Sequence, residues 1–361
     1  MNVSGAMLVK SDDSELIKNE IKYGTLTYPH LYISAAKLIS DGSNQGLTGC
    51  QSKEYGEGAH ASKLYPKGIF NFKNPPVLDD SDKPPYQKMV DQLVELGWPL
   101  MIHANGDQAI AYTLQVLPEQ TESKKLLHRI EHCSILPQNI EDVFLKMKKS
   151  NIQPSFLIGH VGYWGYAFDQ VIFKDVCFNN GVKFIDHLDL CKSMLHQHIP
   201  FTLHSDYPVT PLGALRMMEQ AVTRVTEAAP DIKEITAGLN EIEDEDINIA
   251  KIENILKIEG IIKSKYENVL SDNTLNKNEC VTSEEALAAV TYQAAKQCGL
   301  GKGIGTLEEN CSANYVILEQ NPILMDTPSK AFMRMRKISV LETWKDGIKI
   351  YPPQGSDLEY V

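Results

Sequence analysis

Residues 98–107 read Trp-Pro-Leu-Met-Ile-His-Ala-Asn-Gly-Asp, a short apolar run that ends at His103 just before a predicted helix. Residues 126–132, Leu-Leu-His-Arg-Ile-Glu-His, repeat this arrangement and end at His132. A short apolar run followed by a helix is typical of a buried strand in a βα unit. The step from position 103 to position 132, 29 residues, matches one unit of a parallel barrel, in which about 250 residues make eight units.

The same alternation continues on both sides of this stretch and predicts an α/β fold with a parallel barrel. Further strands are predicted at 32–39, 152–156 and 200–204, and helices at 84–96, 107–117, 137–149, 190–198 and 211–224. A short helix is also predicted at 12–22. We divide the chain into four parts. Residues 1–225 are the barrel portion and residues 226–281 an acidic insertion. Residues 282–304 are the last barrel helix with its turn, and residues 305–361 a small β-sandwich-like module.

The acidic insertion contains an amphipathic pattern formed by Ile249, Ile252, Leu256 and Ile261. This pattern predicts a helix packed on the outside of the barrel, and a partner-binding helix is the alternative. In the next segment, Ser283 is the expected N-cap of a single helix that continues to Ala295.

Composition excludes several classes of function. With 361 residues, 43% hydrophobic content and a net charge of −12, the chain fits a globular protein without a nucleic-acid surface. Its seven cysteines are scattered and form no Cys-x-x-Cys pair, which favours reduced thiols and a cytoplasmic location. The first residues are not apolar enough for a signal peptide, and no run is long enough for a membrane span.

Four side chains each close an apolar run before a loop: Lys37, His103, His132 and Asp206. The carboxyl ends of parallel strands meet at one mouth of a barrel, so we expect these side chains to converge. Imidazoles and carboxylates are zinc ligands, and the set predicts a metal site. A lysine ammonium is no ligand, so Lys37 either pairs with an acid or reacts with carbon dioxide to give a bridging carbamate.

Together the four motifs resemble the amidohydrolase superfamily, in particular amidohydrolase family 3 and its YtcJ-like branch. The matching pieces are Lys37-x-x-x-Asp-Gly-Ser43, Ile102-His-Ala-x-Gly-Asp107, Arg129-Ile-Glu-His132 and Ser205-Asp-x-Pro-Val209. The resemblance covers residues 31–225 and resumes at 282–295 and 303–351. It implies a metal-dependent hydrolase-type (β/α)₈ barrel, of which residues 1–225 would supply strands 4 to 8, followed by a closing β module.

The resemblance also implies roles for these residues. Lys37 would be the carboxylated lysine on strand 4, while His103 and His132 would ligate one metal from strands 5 and 6. Asp206, after strand 8, would contact the other metal and shuttle a proton. The implied cofactors are one or two divalent ions, with zinc favoured, and carbon dioxide as the Lys37 carbamate. The implied reaction is hydrolysis of a non-peptide, amide-type carbon–nitrogen bond of a small molecule by a metal-activated water.

One part of the family pattern is missing. Family members carry a His-x-His pair on barrel strand 1, whereas the only histidine before Lys37 is His30. His196-Gln-His198 lies at the end of a predicted helix, so it would face away from the mouth. We therefore expect a barrel incomplete at its amino end, complemented by an N-terminal polypeptide or present as a homodimer. The alternatives are a catalytically impaired fragment or subunit, and a single-metal deaminase of the same superfamily.

Several other side chains near the motifs are open to two interpretations. His160 and Trp164 either line the substrate pocket or pack an aromatic loop. His204, two residues before Asp206, is expected on the opposite face of its strand, and in the pocket it would be a substrate contact. Asp107 is favoured as a helix cap, and Glu131 is expected to orient a neighbouring group.

Overall fold

A six-stranded parallel sheet forms the centre of the molecule, seen in a computed structural model that describes residues 3–9, 31–61, 63–72, 84–120, 125–240, 263–300 and 303–352. Its strands are β1 (Val3–Leu8), β2 (Leu31–Ile39), β3 (Leu100–Ala104), β4 (His128–His132), β5 (Ile152–Phe156) and β6 (Thr202–Leu203). They lie in chain order from β1 to β6, so the sheet is a curled, incomplete (β/α) barrel. The predicted α/β fold class is confirmed.

The sheet contains one more strand than the sequence predicted. Strand β1 pairs in parallel with β2, matching Leu8 with Lys37. It lies at the edge of the sheet, and its sequence, Val-Ser-Gly-Ala-Met-Leu, is half-exposed along most of its length. A strand that is not fully buried and contains Gly and Ser lacks the apolar run by which the other strands were predicted. The helix predicted at 12–22 lies outside the described residues.

Helices cover the sheet and follow its strands as expected for βα units. They are α1 (Pro85–Glu95), α2 (Asp107–Val116), α3 (Ile140–Lys149), α4 (Cys191–His196), α5 (Ala214–Thr223), α6 (Pro230–Asn240), α7 (Lys263–Asp272), α8 (Ser283–Val290) and α9 (Tyr292–Gln297). Shorter helical turns lie at Glu57–Ala59, Gly159–Gly162, Gly165–Ala167, Phe168–Ile172, Phe184–His187, Lys277–Glu279, Pro322–Leu324, Pro328–Ala331 and Met335–Lys337.

The core forms where the strands meet these helices. Leu38, Leu100, Ile102, Ile130 and Phe156 are fully buried on successive strands. Continuous burial on both faces is typical of a parallel sheet covered by helices. Strand β4 is buried at all five positions although four of its residues are polar, so those polar groups must be satisfied inside the protein.

The carboxyl-terminal part differs from the prediction in two details. The helix capped near residue 283 has its N-cap at Thr282, whose side chain accepts from the Glu285 backbone N–H while the Glu285 carboxylate accepts from the Thr282 N–H. The predicted single helix is interrupted at Thr291 and continues as α9. The described strands of the β module are β7 (Tyr315–Leu318), β8 (Val340–Lys345) and β9 (Ile348–Tyr351), which form one antiparallel sheet.

The acidic insertion is described only at its two ends, by α6 and α7. The four residues that predicted its amphipathic helix, Ile249, Ile252, Leu256 and Ile261, lie outside the described residues. Within the described parts of the chain, no helix is long and apolar enough to cross a membrane.

Candidate metal centre and active site

The strand ends bring three of the predicted residues to one edge of the sheet. Strand β2 pairs with β3 so that Lys37 lies beside Met101 and Ile39 lies beside His103. Strand β3 pairs with β4 so that Ala104 lies beside His132. Since all these strands run in parallel, their carboxyl ends share one mouth. The sequence-predicted side chains on these strands therefore reach the same region.

Three imidazoles at this mouth form a hydrogen-bonded chain. His132 Nε2 lies 2.9 Å from His103 Nδ1, and His204 Nε2 lies 3.1 Å from His132 Nδ1. The chain ends at the Ser155 hydroxyl, 3.0 Å from His204 Nδ1. At its other end, His103 Nε2 lies 2.9 Å from the Gly42 carbonyl oxygen. His204 was expected on the opposite face of its strand; it instead points towards His132, because the backbone leaves β6 at Leu203.

The Gly42 carbonyl oxygen and the Asn105 side-chain nitrogen both lie near His103 Nε2, at 2.9 and 3.1 Å. When His103 Nε2 donates to this carbonyl, a neutral His103 has a lone pair on Nδ1. His132 then donates from Nε2 to His103 and accepts on Nδ1 from His204. Burial is the largest cause that lowers the pKa of all three imidazoles, which favours their neutral forms.

Asp41 stabilises the loop that holds His103. Its carboxylate accepts backbone N–H groups from Cys50, Asn105 and Gly106 at 2.9–3.0 Å. Only glycine fits at position 106, because a Cβ there would lie 2.0 Å from the Cys50 carbonyl oxygen. The carboxyl is fully buried, and burial raises its pKa to about 7 despite these three donors.

Lys37 lies among charged groups near the imidazole chain. Burial lowers the pKa of its amine, Glu131 and Asp206 oppose that shift, and Arg129 adds to it. Glu131 is already paired with Arg129, whose Nε lies 2.9 Å from Glu131 Oε1. The acid that acts most strongly on Lys37 therefore has a cationic partner of its own. A lysine whose neutral form is favoured by burial is a better nucleophile towards carbon dioxide.

Asp206 lies at the exposed rim of the mouth. Its carboxylate acts electrostatically on Lys37, His103 and His204, so it faces the same region as they do. Asp206 has a φ of 49° and His132 a φ of 66°, both in the left-handed region that non-glycine residues seldom adopt. Such backbone conformations cost about 1–3 kcal/mol each and cluster at functional sites.

The aromatic loop contributes one residue beside the imidazole chain and one that lies elsewhere. His160 is buried; its Nδ1 lies 2.9 Å from the Ser134 hydroxyl, and its ring centre lies 6.4 Å from that of His132. Trp164 instead forms part of the wall of a separate large cavity, and its indole N–H donates to the Val209 carbonyl at 3.4 Å.

The remaining predicted residues have local partners. Asp107 was expected to cap its helix, but the N-cap of α2 is Gly106. Asp107 is the first residue of the helix, and its carboxylate accepts the Ser52 backbone N–H at 2.8 Å. Burial raises the pKa of Asp107 to about 6. His196 ends α4, and both it and His198 are exposed before β6, at the end of the strand opposite to Asp206.

The spacing of the His103 and His132 nitrogens can be compared with that of two ligands of one zinc ion. Tetrahedral zinc with nitrogen ligands at about 2.0–2.1 Å places two such nitrogens about 3.3 Å apart, close to the 2.9 Å between His103 Nδ1 and His132 Nε2. Lys37, as a carbamate, would add oxygen donors. Among the residues that the structure describes, however, no group of three or more His, Cys, Asp or Glu side chains is arranged to hold an ion.

Sequence reasoning gave no role to Asp41, Asn105, Ser134 and Ser155, which support this site. Ser134 donates to Asn105 Oδ1 at 2.9 Å, which links the loop of Asp41 to His160. The signal for Asp41 and Asn105 was present, because both lie inside the quoted motifs. The two serines carry no sequence signal, since their contacts come from neighbouring strands and loops.

Comparisons with known proteins agree with this arrangement. The sequence profile of the amidohydrolase family matches residues 1–351. An N-substituted formamide deformylase from Arthrobacter pascens is 24% identical over 271 residues, which are 73% of this chain and 38% of that protein.

Two solved structures share the fold. They are uncharacterized metal-dependent hydrolases from Pyrococcus horikoshii OT3 and Pyrococcus furiosus, with TM-scores of 0.59 and 0.57 at 18% and 19% identity. Each match covers 90% of this chain and 52% or 51% of the other. The chain thus spans about half or less of the length of these relatives. Since the family profile matches nearly all of its residues, the chain belongs to the amidohydrolase family.

Proposed function

We propose that this chain takes part in metal-dependent hydrolysis of a non-peptide, amide-type carbon–nitrogen bond. The observation that carries the proposal is the 2.9 Å approach of His132 Nε2 to His103 Nδ1 at the mouth of the barrel. Two imidazole nitrogens this close together could both ligate one divalent ion, and zinc is favoured. Lys37, as its carbamate, is the third proposed ligand.

A divalent ion at this position would lower the pKa of a coordinated water and polarise the substrate carbonyl. His132 would then carry its proton on Nδ1 and donate to His204, which would donate in turn to the Ser155 hydroxyl. The hydrogen bonds that join His132 Nδ1 to His204 and His204 to Ser155 would then orient the His132 ring. Asp206 is the proposed proton carrier, which takes a proton from water and delivers it to the leaving amine.

The substrate class is proposed from the named relative. The relative from Arthrobacter pascens acts, by its name, on N-substituted formamides. We infer that the substrate here is a small amide with a substituted nitrogen. This choice also suits Asp206, because a carboxyl group at the rim that has taken a proton from water can deliver it to the departing amine.

A second candidate is a subunit that keeps the scaffold without turnover on its own. It is favoured by the lack of a three-member cluster of His, Cys, Asp or Glu ligands among the described residues. In the described parts of the chain, the sheet also ends at β1 on one side and β6 on the other without closing. A complementing N-terminal polypeptide or a second copy would be the partner in that case.

The seven cysteines, all unpaired in the structure, support a cytoplasmic location.

The test combines metal content with turnover. The purified chain is loaded with zinc in bicarbonate buffer and assayed for amine release from N-alkyl and N-aryl formamides. We expect zinc-dependent release that the variant His132→Asn loses together with its zinc. Zinc bound through His103 and His132 without amine release would favour the non-catalytic subunit. A wild-type chain that binds no zinc would contradict the metal-dependent proposal itself.

A further inference from the structure

A large cavity lies apart from the imidazole chain, between helix α5, helix α8 and the carboxyl-terminal sheet. Its volume is about 1470 Å³. Ligand sites commonly measure about 300–1,000 Å³, so the cavity has room for a drug-sized molecule. Trp164 connects its wall to the turn after Asp206 through the hydrogen bond to Val209. Neither His103 nor His132 lines it.

Most of the wall is apolar. It is lined by side chains from the aromatic loop, the segment before α5, helix α8 and strands β7 and β8. Among them are Trp164, Leu212, Leu287, Val290, Val316 and Val340. Leu212 is 72% exposed and Val316 52% exposed, so these side chains remain open to solvent. Exposed apolar surface of this kind gains free energy when an apolar group covers it.

The charged side chains in the wall are mainly positive. Arg216, Lys233, Arg336 and Lys337 line the cavity, against the single carboxylate of Glu227. Arg336 is fully engaged: it donates to Glu227 from both terminal nitrogens, at 3.1 and 2.8 Å, and to Glu219 from Nε at 2.8 Å. The Glu227 carboxylate also accepts from Gln220 at 2.7 Å. It therefore has little remaining capacity for the other cations.

Arg216 is the cation with unmet hydrogen-bonding capacity. It donates from Nη2 to Glu227, but its Nε is buried and has no hydrogen-bond partner among the described residues. A buried donor without a partner costs about 1–3 kcal/mol. Burial is the largest cause that lowers the pKa of Arg216; Arg336 adds to the shift, and Glu227 and Glu219 oppose it. An anion beside Arg216 would favour its charged form.

We propose that this cavity binds an amphipathic monocarboxylate, with the carboxylate at Arg216 and the apolar tail against the wall that contains Trp164 and Leu287. The cationic side chains of the wall match the carboxylate, and the apolar part of the wall matches the tail. The hydroxyl of a neutral amphiphile could accept from Arg216, but only a carboxylate would add the stronger, charge-assisted hydrogen bond. The site is independent of the proposed hydrolase chemistry, because it needs neither metal nor Lys37.

The experiment follows tryptophan fluorescence of the full chain as decanoate is added, with decan-1-ol as the neutral probe of the same length. Trp98 is buried and Trp344 stacks on Tyr315 at 5.6 Å, so the variant Trp164→Phe identifies the signal from the cavity. We expect the fluorescence to change saturably as decanoate is added, and we expect this change to be lost in Trp164→Phe. We expect Arg216→Gln to weaken decanoate binding about tenfold and to leave decan-1-ol binding unchanged.

Lys174→Gln removes an exposed positive charge away from the cavity and should leave decanoate binding unchanged. If Arg216→Gln fails to fold, Lys233→Gln replaces it and should weaken decanoate binding about threefold. Equal affinity for decanoate and decan-1-ol, equal decanoate affinity in the wild type and Arg216→Gln, or no saturable binding overturns the proposal. If a synthetic peptide of residues 241–262 changed the Trp164 fluorescence while decanoate did not, the proposal would also be overturned. The cavity would then be assigned to the chain's own acidic segment.

Discussion

His132 and His103 are 29 residues apart in the chain, yet the Nε2 atom of one lies 2.9 Å from the Nδ1 atom of the other. Adjacent parallel strands produce this approach, because Ala104 on β3 pairs with His132 on β4. Outer hydrogen bonds to Gly42 and His204 hold both rings in place. The pair is thus oriented by the fold before any ion is bound, as expected for a preorganised metal site.

Lys37 is expected to carry carbon dioxide. In ¹³C-bicarbonate the wild-type chain should show a carbamate resonance, because burial favours the neutral amine of Lys37. The variant Lys37→Arg should lose this resonance, while Lys149→Met, at an exposed lysine, should keep it. Carbon-13 NMR checks the outcome. A resonance that persists in Lys37→Arg would place the carbamate elsewhere.

Asp206 is expected to move a proton but not to hold the metal ion. The variant Asp206→Asn should lower kcat for amide hydrolysis by about 100-fold or more, in the range found for general acid–base groups. Its zinc content should match that of the wild type, because His103 and His132 are unchanged. Steady-state kinetics and metal analysis are measured together, with the exposed Asp231→Asn as control. Undiminished kcat in Asp206→Asn would remove this residue from the mechanism.

The sequence alone predicted the strands that carry the site, because each is an apolar run ending in a polar motif. It could not predict β1, a half-exposed edge strand without such a run. Nor could it predict the orientation of His204, since strand alternation fails where the regular strand ends at Leu203. The interruption at Thr291 was missed because Ala-rich turns on both sides favour a continuous helix and outweighed the weaker helix formers Val290 and Tyr292.

Within the site, sequence motifs named the imidazoles and Asp206 but not what orients them. Asp41 lies inside a motif, and its three backbone donors come from residues 50, 105 and 106, which only the folded loops bring together. Ser155 lies in a buried strand and receives its role from the neighbouring His204. Contacts of this kind depend on the register between strands, which a single sequence does not specify.

His128 should make stability fall on acidification. This buried imidazole accepts the Leu100 backbone N–H at 3.1 Å, and burial lowers its pKa from 6.5 to about 4. Between these values the unfolded chain binds the proton and the folded chain does not, so stability falls as the pH drops below 6.5. From pH 7.5 to pH 5.5 this contribution should cost about 1 kcal/mol.

Urea unfolding at both pH values, compared between the wild type and His128→Gln, measures this contribution. The variant should lose about 1 kcal/mol less on acidification than the wild type does. His60→Gln, at an exposed histidine, serves as the control. An identical pH dependence in the wild type and His128→Gln would show that His128 does not supply it.

Glu219 should hold the carboxyl-terminal segment against the barrel. Its buried carboxylate accepts backbone N–H groups from Met333 at 2.8 Å and Arg336 at 2.9 Å, and pairs with the Arg336 guanidinium at 2.7 Å. Glu219→Gln leaves that guanidinium with a weaker partner and should destabilise the fold by about 3 kcal/mol. Urea unfolding of the wild type and Glu219→Gln measures this loss of stability. The exposed Asp326→Asn should have a much smaller effect, and equal effects would contradict a clamp at Glu219.

Zinc titration by calorimetry, comparing the wild type with His132→Asn, tests the central claim most directly. With one ion held between His103 and His132, the wild type should bind one zinc ion per chain and His132→Asn should bind none at that site. His196→Asn, which removes an exposed imidazole, should behave as the wild type. Equal zinc affinity and stoichiometry in the wild type and His132→Asn would contradict the metal centre.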